Sequence, residues 1–268
     1  MRPTQMPNNP SEESNSQNNL STIEVIPVIG LPKIKPGDNL AELILQTMNK
    51  NKQNLRIGDV LVIAHTVVSI AEGAIIQSAD IVVSPKAEKI ALANERKPQK
   101  IQTAINEAQD IIREEPVLIT RTRHGLITDM SGVDESNAPV GYYVLLPENP
   151  DHSADMICRA LSEIMGFEIP VIIADTQGRP WRKGAVNLAI GLAGISPFTV
   201  NAGLKDLYGH ELRSSLVCIA DELAAAAELI MGQADEGIPA AIIRGLDLQH
   251  EEGSATQIIR SENENLFN

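Results

Sequence analysis

The sequence predicts a mixed α/β or α+β protein, and three observations carry that prediction. Short apolar runs, such as residues 59–66 and 170–174, are typical of strands buried on both faces. Longer segments with apolar residues at helical spacing, such as 153–165, predict amphipathic helices. The two kinds of segment alternate only loosely along the chain, which argues against a strictly doubly wound sheet.

The elements of the first half follow from the spacing of apolar residues and from Gly and Pro breaks. Residues 22–28 form a strand that a loop containing Gly30, Pro32 and Pro36 ends. The remaining elements of this half are a helix at 39–48, a strand at 59–66, helices at 87–96 and 101–113, and paired strands at 116–120 and 125–128.

The second half begins with the helix at 153–165, with Asp151 as its cap and Gly166 as its stop. It continues with a strand at 170–174, an apolar run of small residues at 185–192, a long helix at 211–231 that Gly232 stops, and a strand at 240–243. Cys158 and Cys218 fall in different predicted helices and form no CxxC pair, so we interpret both as small core residues.

Composition excludes several classes of partner. The 268 residues are 43% apolar but only 3% aromatic, which predicts an aliphatic core. A formal charge of -13 argues against binding to nucleic acid or to an anionic membrane surface. The sequence shows no apolar stretch of about 18 residues and no hydrophobic signal core, so we expect a cytoplasmic protein.

The two ends differ from the middle of the chain. Residues 1–21 are rich in Asn, Ser, Gln, Pro and Glu and are predicted to be a disordered arm. Residues 247–268 are predicted to be a polar, acidic tail. Residues 22–246 then form one domain without repeats or low-complexity segments.

Three polar segments interrupt or end apolar runs: 131–137, 173–179 and 232–239. Asp175 follows a buried strand, where a carboxylate is held at the ligand-binding edge of an α/β sheet. Two such carboxylates, with a hydroxyl and an amide nearby, can hold Mg²⁺ or Mn²⁺. Arg179, Arg182 and Lys183 follow and could neutralise phosphate charge.

Each of these segments also has a purely structural interpretation. Residues 131–134 match an Asx turn, 175–178 match a strand-to-turn connection, and 232–239 match a helix stop followed by a loop. The basic residues after Asp175 also match a solvated loop, and His65 matches a buried histidine as well as a ligand. The standard nucleotide motifs GxxxxGK[ST] and GxGxxG are missing from the sequence, as are GxSxG and HExxH, so a nucleotide site here must be of another kind.

Taken together, the segments resemble one family over residues 26–246. The matching stretches are IPVIGLPKIKPGDNLAELI, GDVLVIAHTVVSIAEG, GVDESN, LLPENPDHSA, ADTQGRPWRKGAVNLAIG, KDLYGHEL and ADELAAAAELIMGQADEGIPAAIIRGL. In their order and spacing they are similar to the coenzyme F420-0:L-glutamate ligases, also called F420 γ-glutamyl ligases.

This resemblance implies a GTP-dependent ligase that adds L-glutamate to the carboxylate of F420-0, a deazaflavin phosphodiester, through an acyl phosphate. It implies a requirement for Mg²⁺ or Mn²⁺, assistance by K⁺, a family-specific mixed α/β fold and an intertwined homodimer. Residues 22–246 would then be the catalytic domain.

The resemblance also implies roles for individual residues. Asp134 and Asp175 match catalytic, metal-binding aspartates, and Thr176 and Gln233 match further metal positions. The implied nucleotide contacts are Leu31, Pro32, Lys33, Ile34, His65, Thr66, Asn137, Gly232, Gln233, Ala234, Asp235, Glu236, Gly237, Ile238 and Pro239.

Two departures from the family pattern fall within the implied site. Ile70 stands where family members usually have a lysine that contacts the nucleotide, and Met130-Ser131-Gly132 stands where they usually have Asn-Ala-Gly. Two alternatives therefore remain: an amino-acid ligase of the same chemistry with a different carboxylate acceptor, and a catalytically silent protein that binds nucleotide or metal.

Overall fold

The computed structural model describes residues 22–248 and 251–267, so the predicted disordered arm at 1–21 lies outside the described residues. The helices are α1 (Leu40–Lys50), α2 (His65–Glu72), α3 (Pro85–Asn94), α4 (Pro98–Glu107), α5 (Pro150–Met165) and α6 (Ile219–Met231). The strands are β1 (Glu24–Pro27), β2 (Val60–Ala64), β3 (Ile75–Gln77), β4 (Ala108–Arg113), β5 (Ile119–Thr122), β6 (Ile127–Asp129), β7 (Tyr142–Val144), β8 (Val171–Arg179), β9 (Arg182–Ala193), β10 (Thr199–Val200), β11 (Leu216–Val217) and β12 (Ala240–Arg244). Short 3-10 turns lie at Ser78–Asp80, Met130–Gly132, Ala255–Ile258 and Glu262–Glu264.

The central sheet of the described residues has the strand order β1-β12-β2-β8-β9. Its middle pair, β2 and β8, is parallel, and the other neighbours are antiparallel. These two strands are the apolar runs that the sequence predicts to be buried on both faces. The mixed α/β class is confirmed.

Helices cover both faces of the central sheet. Ile63 and Ile173 pack in one cluster with apolar residues of α1 and α5. Val62 and Ile172 pack in another cluster with apolar residues of α6. Successive residues of a strand therefore face different layers, as the two-residue repeat of a β-strand requires.

A smaller layer is built from α3, α4 and an antiparallel sheet of β4, β5 and β6. The pairing of β5 with β6 confirms the hairpin predicted from residues 116–128. The helix predicted at 101–113 is wrong beyond Glu107, because Ala108 is extended and residues 108–113 pair with β5 instead. Pairing with the next strand along the chain outweighs the local helical pattern.

The long helix predicted at 211–231 is also wrong in its first half, since α6 begins at Ile219. The backbone N–H of Leu212 donates to the carbonyl of Leu204, and Leu216 pairs with Val200 in a short two-stranded sheet. Cys218 therefore lies just before the helix rather than in it. The apolar residues before Ile219 have helical spacing, but the backbone of this segment is hydrogen-bonded to residues 200–204 instead of forming a helix.

Three other boundaries differ from the sequence prediction. His65 begins α2 instead of ending a strand, and β8 runs on through Asp175 to Arg179 because it pairs with β9. Asn149, not Asp151, caps α5 by accepting a hydrogen bond from the N–H of His152. Gly166 ends α5 as predicted.

The part of the predicted polar tail that the structure describes packs on the domain. Ala255 is buried and Ile258 is half-buried against the α6 side of the central sheet. Among the described residues, no helix combines the length and the apolar character needed to cross a membrane.

Candidate active site

Two adjacent parallel strands bring His65 and Asp175 together. Ala64, the last residue of β2, pairs with Ala174 in β8, so the residues that follow them lie side by side. Asp134 approaches in a loop that two backbone hydrogen bonds with Val144 hold against β7. The fold thus collects three polar side chains from distant parts of the chain.

His65 lies between the two aspartates. Its Nε2 atom is 3.0 Å from Asp134 Oδ2 and 3.2 Å from Asp175 Oδ1. Burial lowers the pKa of His65, but the charge of Asp175 and hydrogen bonds to both aspartates outweigh burial and raise the pKa to about 10. The two carboxylates therefore favour the protonated imidazole as long as no metal ion displaces the proton.

This cluster has a donor set that fits a divalent metal. One ligand atom from each of His65, Asp134 and Asp175 lies within 4.8 Å of the others. Asp175 Oδ2 is buried and has no hydrogen-bond partner among the described residues, an arrangement that is costly without a cation nearby. Carboxylate oxygens are the ligands that Mg²⁺ and Mn²⁺ prefer.

The side chains of Thr176 and Gln233, the other two predicted metal positions, contact each other. Within the described residues, neither side chain forms a hydrogen bond with His65. Gln233 Nε2 donates to Thr176 Oγ1 at 2.7 Å and also to Glu228. The Thr176 hydroxyl in turn donates to Asn187 Oδ1 in β9. Burial raises the pKa of Glu228, and the hydrogen bond from Gln233 opposes that rise.

Sequence reasoning missed Glu228 and Asn187. Asn187 left a signal, since it is the polar residue in the apolar run at 185–192. Glu228 left none, because a glutamate near the end of a helix is ordinary.

A cavity of about 680 Å³ gathers most of the residues that the resemblance implies for nucleotide contact. The implied residues that line it are Leu31, Pro32, Lys33, Ile34, Thr66, Asn137, Gly232, Ala234, Asp235, Glu236, Gly237, Ile238 and Pro239. His65 and Gln233 do not line this nucleotide cavity but directly adjoin residues that do. Its volume is in the range of pockets that bind small molecules.

The loop 232–239 has a defined turn at the cavity wall. The side chain of Glu236 folds back and accepts a hydrogen bond from the N–H of Ala234 at 2.8 Å. Backbone hydrogen bonds hold the pKa of Glu236 below its usual value. Gly232 has φ +68° and ψ -175°, a backbone conformation that residues other than glycine rarely adopt, so the turn requires glycine.

The first departure, Ile70, lies in the wall of the nucleotide cavity and is only 5% exposed. An isoleucine cannot donate a hydrogen bond to a phosphate. Lys33 and Lys35 line the same cavity and are exposed, so cationic groups are present there on a different element.

The second departure supports the loop that carries Asp134. Met130 and Ser131 have φ values of +50° and +55°, a strained conformation for residues other than glycine. The buried hydroxyl of Ser131 donates to the carbonyl of Ala104 at 2.6 Å and its N–H donates to Thr120 Oγ1 at 3.0 Å. Ser131 therefore fixes the loop without reaching the cluster.

The basic residues after Asp175 do not line the nucleotide cavity. Arg179 and Arg182 lie at the turn between β8 and β9, and Arg179 donates to the backbone carbonyls of Lys183 and Gly184. Within the described residues, their position fits the solvated-loop interpretation.

Comparison with known proteins gives one consistent result. The model of a family described as F420-0:Gamma-glutamyl ligase matches residues 28–245. Three relatives each carry the name coenzyme F420:L-glutamate ligase. The protein of Methanopyrus kandleri is 47% identical over 92% of this chain and 98% of its own length. Those of Methanothermobacter thermautotrophicus and Archaeoglobus fulgidus are 44% and 40% identical, over 91% of this chain and 98% and 96% of their own lengths.

Proposed function

The chain belongs to the F420-0:gamma-glutamyl ligase family, and from this premise we propose that it joins L-glutamate to the carboxylate of F420-0 at the expense of GTP. The reaction forms a carbon–nitrogen bond, as expected of a ligase. The proposal includes Mg²⁺ or Mn²⁺ at the cluster of His65, Asp134 and Asp175, with K⁺ as an accessory cation.

The observation that carries this proposal is the position of the cluster beside the nucleotide cavity. Thr66 lines the cavity and directly follows His65, and Asn137 lines it three residues after Asp134. A nucleotide in the cavity can therefore direct its terminal phosphate toward Asp134 and Asp175.

The chemistry follows from the weakness of a carboxylate as an electrophile. An oxygen of the acceptor carboxylate attacks the γ-phosphorus of GTP, the bond to the β-phosphate oxygen breaks, and GDP leaves with that electron pair. The amine of glutamate then attacks the acyl carbon, inorganic phosphate leaves, and the amine loses a proton to form the amide.

The residues of the chain position these groups. His65 would release its Nε2 proton to bind the metal together with the two aspartates. Asp134 and Asp175 would hold the metal, which when bound offsets phosphate charge. Lys33 and Lys35 provide positive charge along the nucleotide cavity.

A ligase with altered nucleotide preference is the second candidate, and Ile70 favours it. The substitution of an apolar residue for the implied lysine lies in the nucleotide cavity, so it bears on the nucleotide more directly than on the acceptor. Wild-type rates with ATP that exceed those with GTP would support this candidate.

The test is a mass-resolved assay of the purified chain with F420-0, L-glutamate, GTP and Mn²⁺, with ATP in a parallel reaction. We expect a product heavier by one or more glutamyl units, and we expect EDTA to abolish it. No product with either nucleotide, while thermal shifts still show nucleotide and metal binding, would contradict the F420-0 assignment and direct the search to another acceptor.

The proposal also includes a homodimer, supported by an exposed apolar arm at residues 199–217. Leu207 and Tyr208 are 101% and 88% exposed, and Val200 and Leu204 are more than half exposed. Within the described residues, this arm packs little of its apolar surface, so a second copy of the chain is the occupant we propose for it.

A further inference from the structure

A second cavity, of about 430 Å³, lies between three parts of the fold. These are the β8–β9 edge of the central sheet, the β5–β6 hairpin and residues 253–265, which we term the C-terminal strap. Side chains from all three line it, among them Arg121, Leu126, Gln177, Leu188 and Ile259.

This strap cavity adjoins the buried cluster. Leu188, in its wall, is the cross-strand partner of Asp175. Gln177, also in its wall, follows Asp175 by two residues and lies on the same face of β8, about 7 Å along the strand. The nucleotide cavity adjoins the same cluster through Thr66, so the cluster lies between the two cavities.

Gln177 presents an unused donor in the strap cavity. Its residue is only 7% exposed, and its buried Nε2 atom has no hydrogen-bond partner among the described residues. A buried amide without a partner is costly, so a ligand that accepts from it would recover that free energy. A carboxylate oxygen is the strongest such acceptor.

The rest of the wall combines aliphatic with charged side chains, including Asp221 and Arg260. Leu126, Leu188 and Ile259 provide aliphatic surface. The guanidinium of Arg121 is paired with Glu262 of the strap, with 3.1 Å between Nη1 and Oε1. An acceptor that joins a large ring system to a phosphodiester and a carboxylate matches this mixed wall, whereas free glutamate has too little apolar surface to cover the aliphatic part.

Hydrogen bonds to Asp151 fix the C-terminal strap in place as one wall of the strap cavity. The carboxylate of Asp151 accepts hydrogen bonds from the N–H of Leu192 in β9, the N–H of Ala255 and the hydroxyl of Ser254, at 2.9, 2.8 and 2.6 Å. The strap lies outside the stretch that matches the family model, which ends at residue 245.

We propose that the strap cavity binds the carboxylate-bearing acceptor of the ligase reaction, with Gln177 Nε2 as a donor to its carboxylate. The acceptor carboxylate then enters the cluster from the side opposite the nucleotide, as attack on the γ-phosphorus requires. This inference rests on the proposed function and adds to it the acceptor site and the strap as the element that contacts the acceptor.

The kinetic test compares Gln177→Leu with a matched control, Gln99→Leu, which makes the same change on α4 away from both cavities. We expect Gln177→Leu to raise KM for F420-0 about tenfold and to leave KM for GTP and for glutamate within twofold of wild type. The control should match wild type. A rise confined to KM for glutamate, or no change in any KM, would overturn the proposal.

A second measurement uses the unaltered chain and does not depend on turnover. F420-0 alone should slow hydrogen–deuterium exchange at residues 254–265 and 119–129, whereas GTP with Mn²⁺ should slow it at residues 31–35 and 231–239. Protection by F420-0 confined to the nucleotide segments, or no protection of the strap, would refute the acceptor site. Product formation by the wild-type chain tests the proposed function, whether or not F420-0 protects the strap. The proposed function and the acceptor site can therefore fail independently of each other.

Discussion

Asp175 and Thr176 are neighbours in the chain, yet their side chains lie on opposite faces of the central sheet. Asp175 contacts His65 at 3.2 Å, on the face that α1 and α5 cover. Thr176 contacts Gln233 and Asn187, on the face that α6 covers. The four implied metal positions therefore form two pairs, Asp134 with Asp175 and Thr176 with Gln233.

Replacement of Asp175 should lower the rate of catalysis while the protein stays folded. We expect Asp175→Asn to lower kcat at least about 100-fold, because the proposed metal site would lose one of its two carboxylates. The fold should persist, since the change removes a buried charged oxygen that has no hydrogen-bond partner among the described residues. Steady-state kinetics and thermal melts measure both effects, with Asp155→Asn on the exposed face of α5 as the control. Activity equal to wild type would exclude Asp175 from the metal site.

Ile70→Lys should strengthen nucleotide binding. The side chain lies in the wall of the nucleotide cavity, where an ammonium group could reach a phosphate. We expect the Kd for GTP with Mn²⁺ to fall about threefold to tenfold, which isothermal calorimetry can measure. Ile70→Met, which keeps the wall apolar, should leave Kd unchanged. Weaker binding by the lysine variant would show that the phosphates lie elsewhere in the cavity.

Asp151→Ala should release the C-terminal strap. The substitution leaves the N–H groups of Leu192 and Ala255 without their acceptor, so the free energy of unfolding should fall by about 2–4 kcal/mol. Urea unfolding gives this value, and exchange at residues 254–258 should accelerate. Asp155→Ala, which breaks only an exposed pair with Arg159, should cost about 0.5 kcal/mol or less. Equal costs for the two variants would mean that Asp151 does not hold the strap.

The exposed arm at 199–217 should mediate self-association. Light scattering of the wild-type chain should give twice the chain mass of 29.0 kDa. Leu207→Asp should shift the mass toward the monomer, because a charge would enter an apolar interface. Val82→Asp, at a site that is 89% exposed outside the arm, should leave the mass unchanged. A monomeric wild type at micromolar concentration would refute the homodimer.

The sequence by itself determined the elements whose signal is local. The buried strands β2 and β8 and the amphipathic helices α1 and α5 follow from apolar runs and helical spacing, since burial requires those patterns wherever the element lies. Asp175 became a candidate because it follows a buried strand, whereas Asp134 became one through the family resemblance, since its segment alone also matches a turn.

Only the tertiary structure decided what depends on distant partners. Residues 108–113 are a strand because β5 lies beside them, and residues 211–218 are not helical because their backbone bonds to residues 200–204. The same holds for the separation of Thr176 from Asp175 and for the strap cavity. Strand pairing and the closure of a cavity are made between separate segments, and the free energy that fixes them is not evident from the local pattern of either segment.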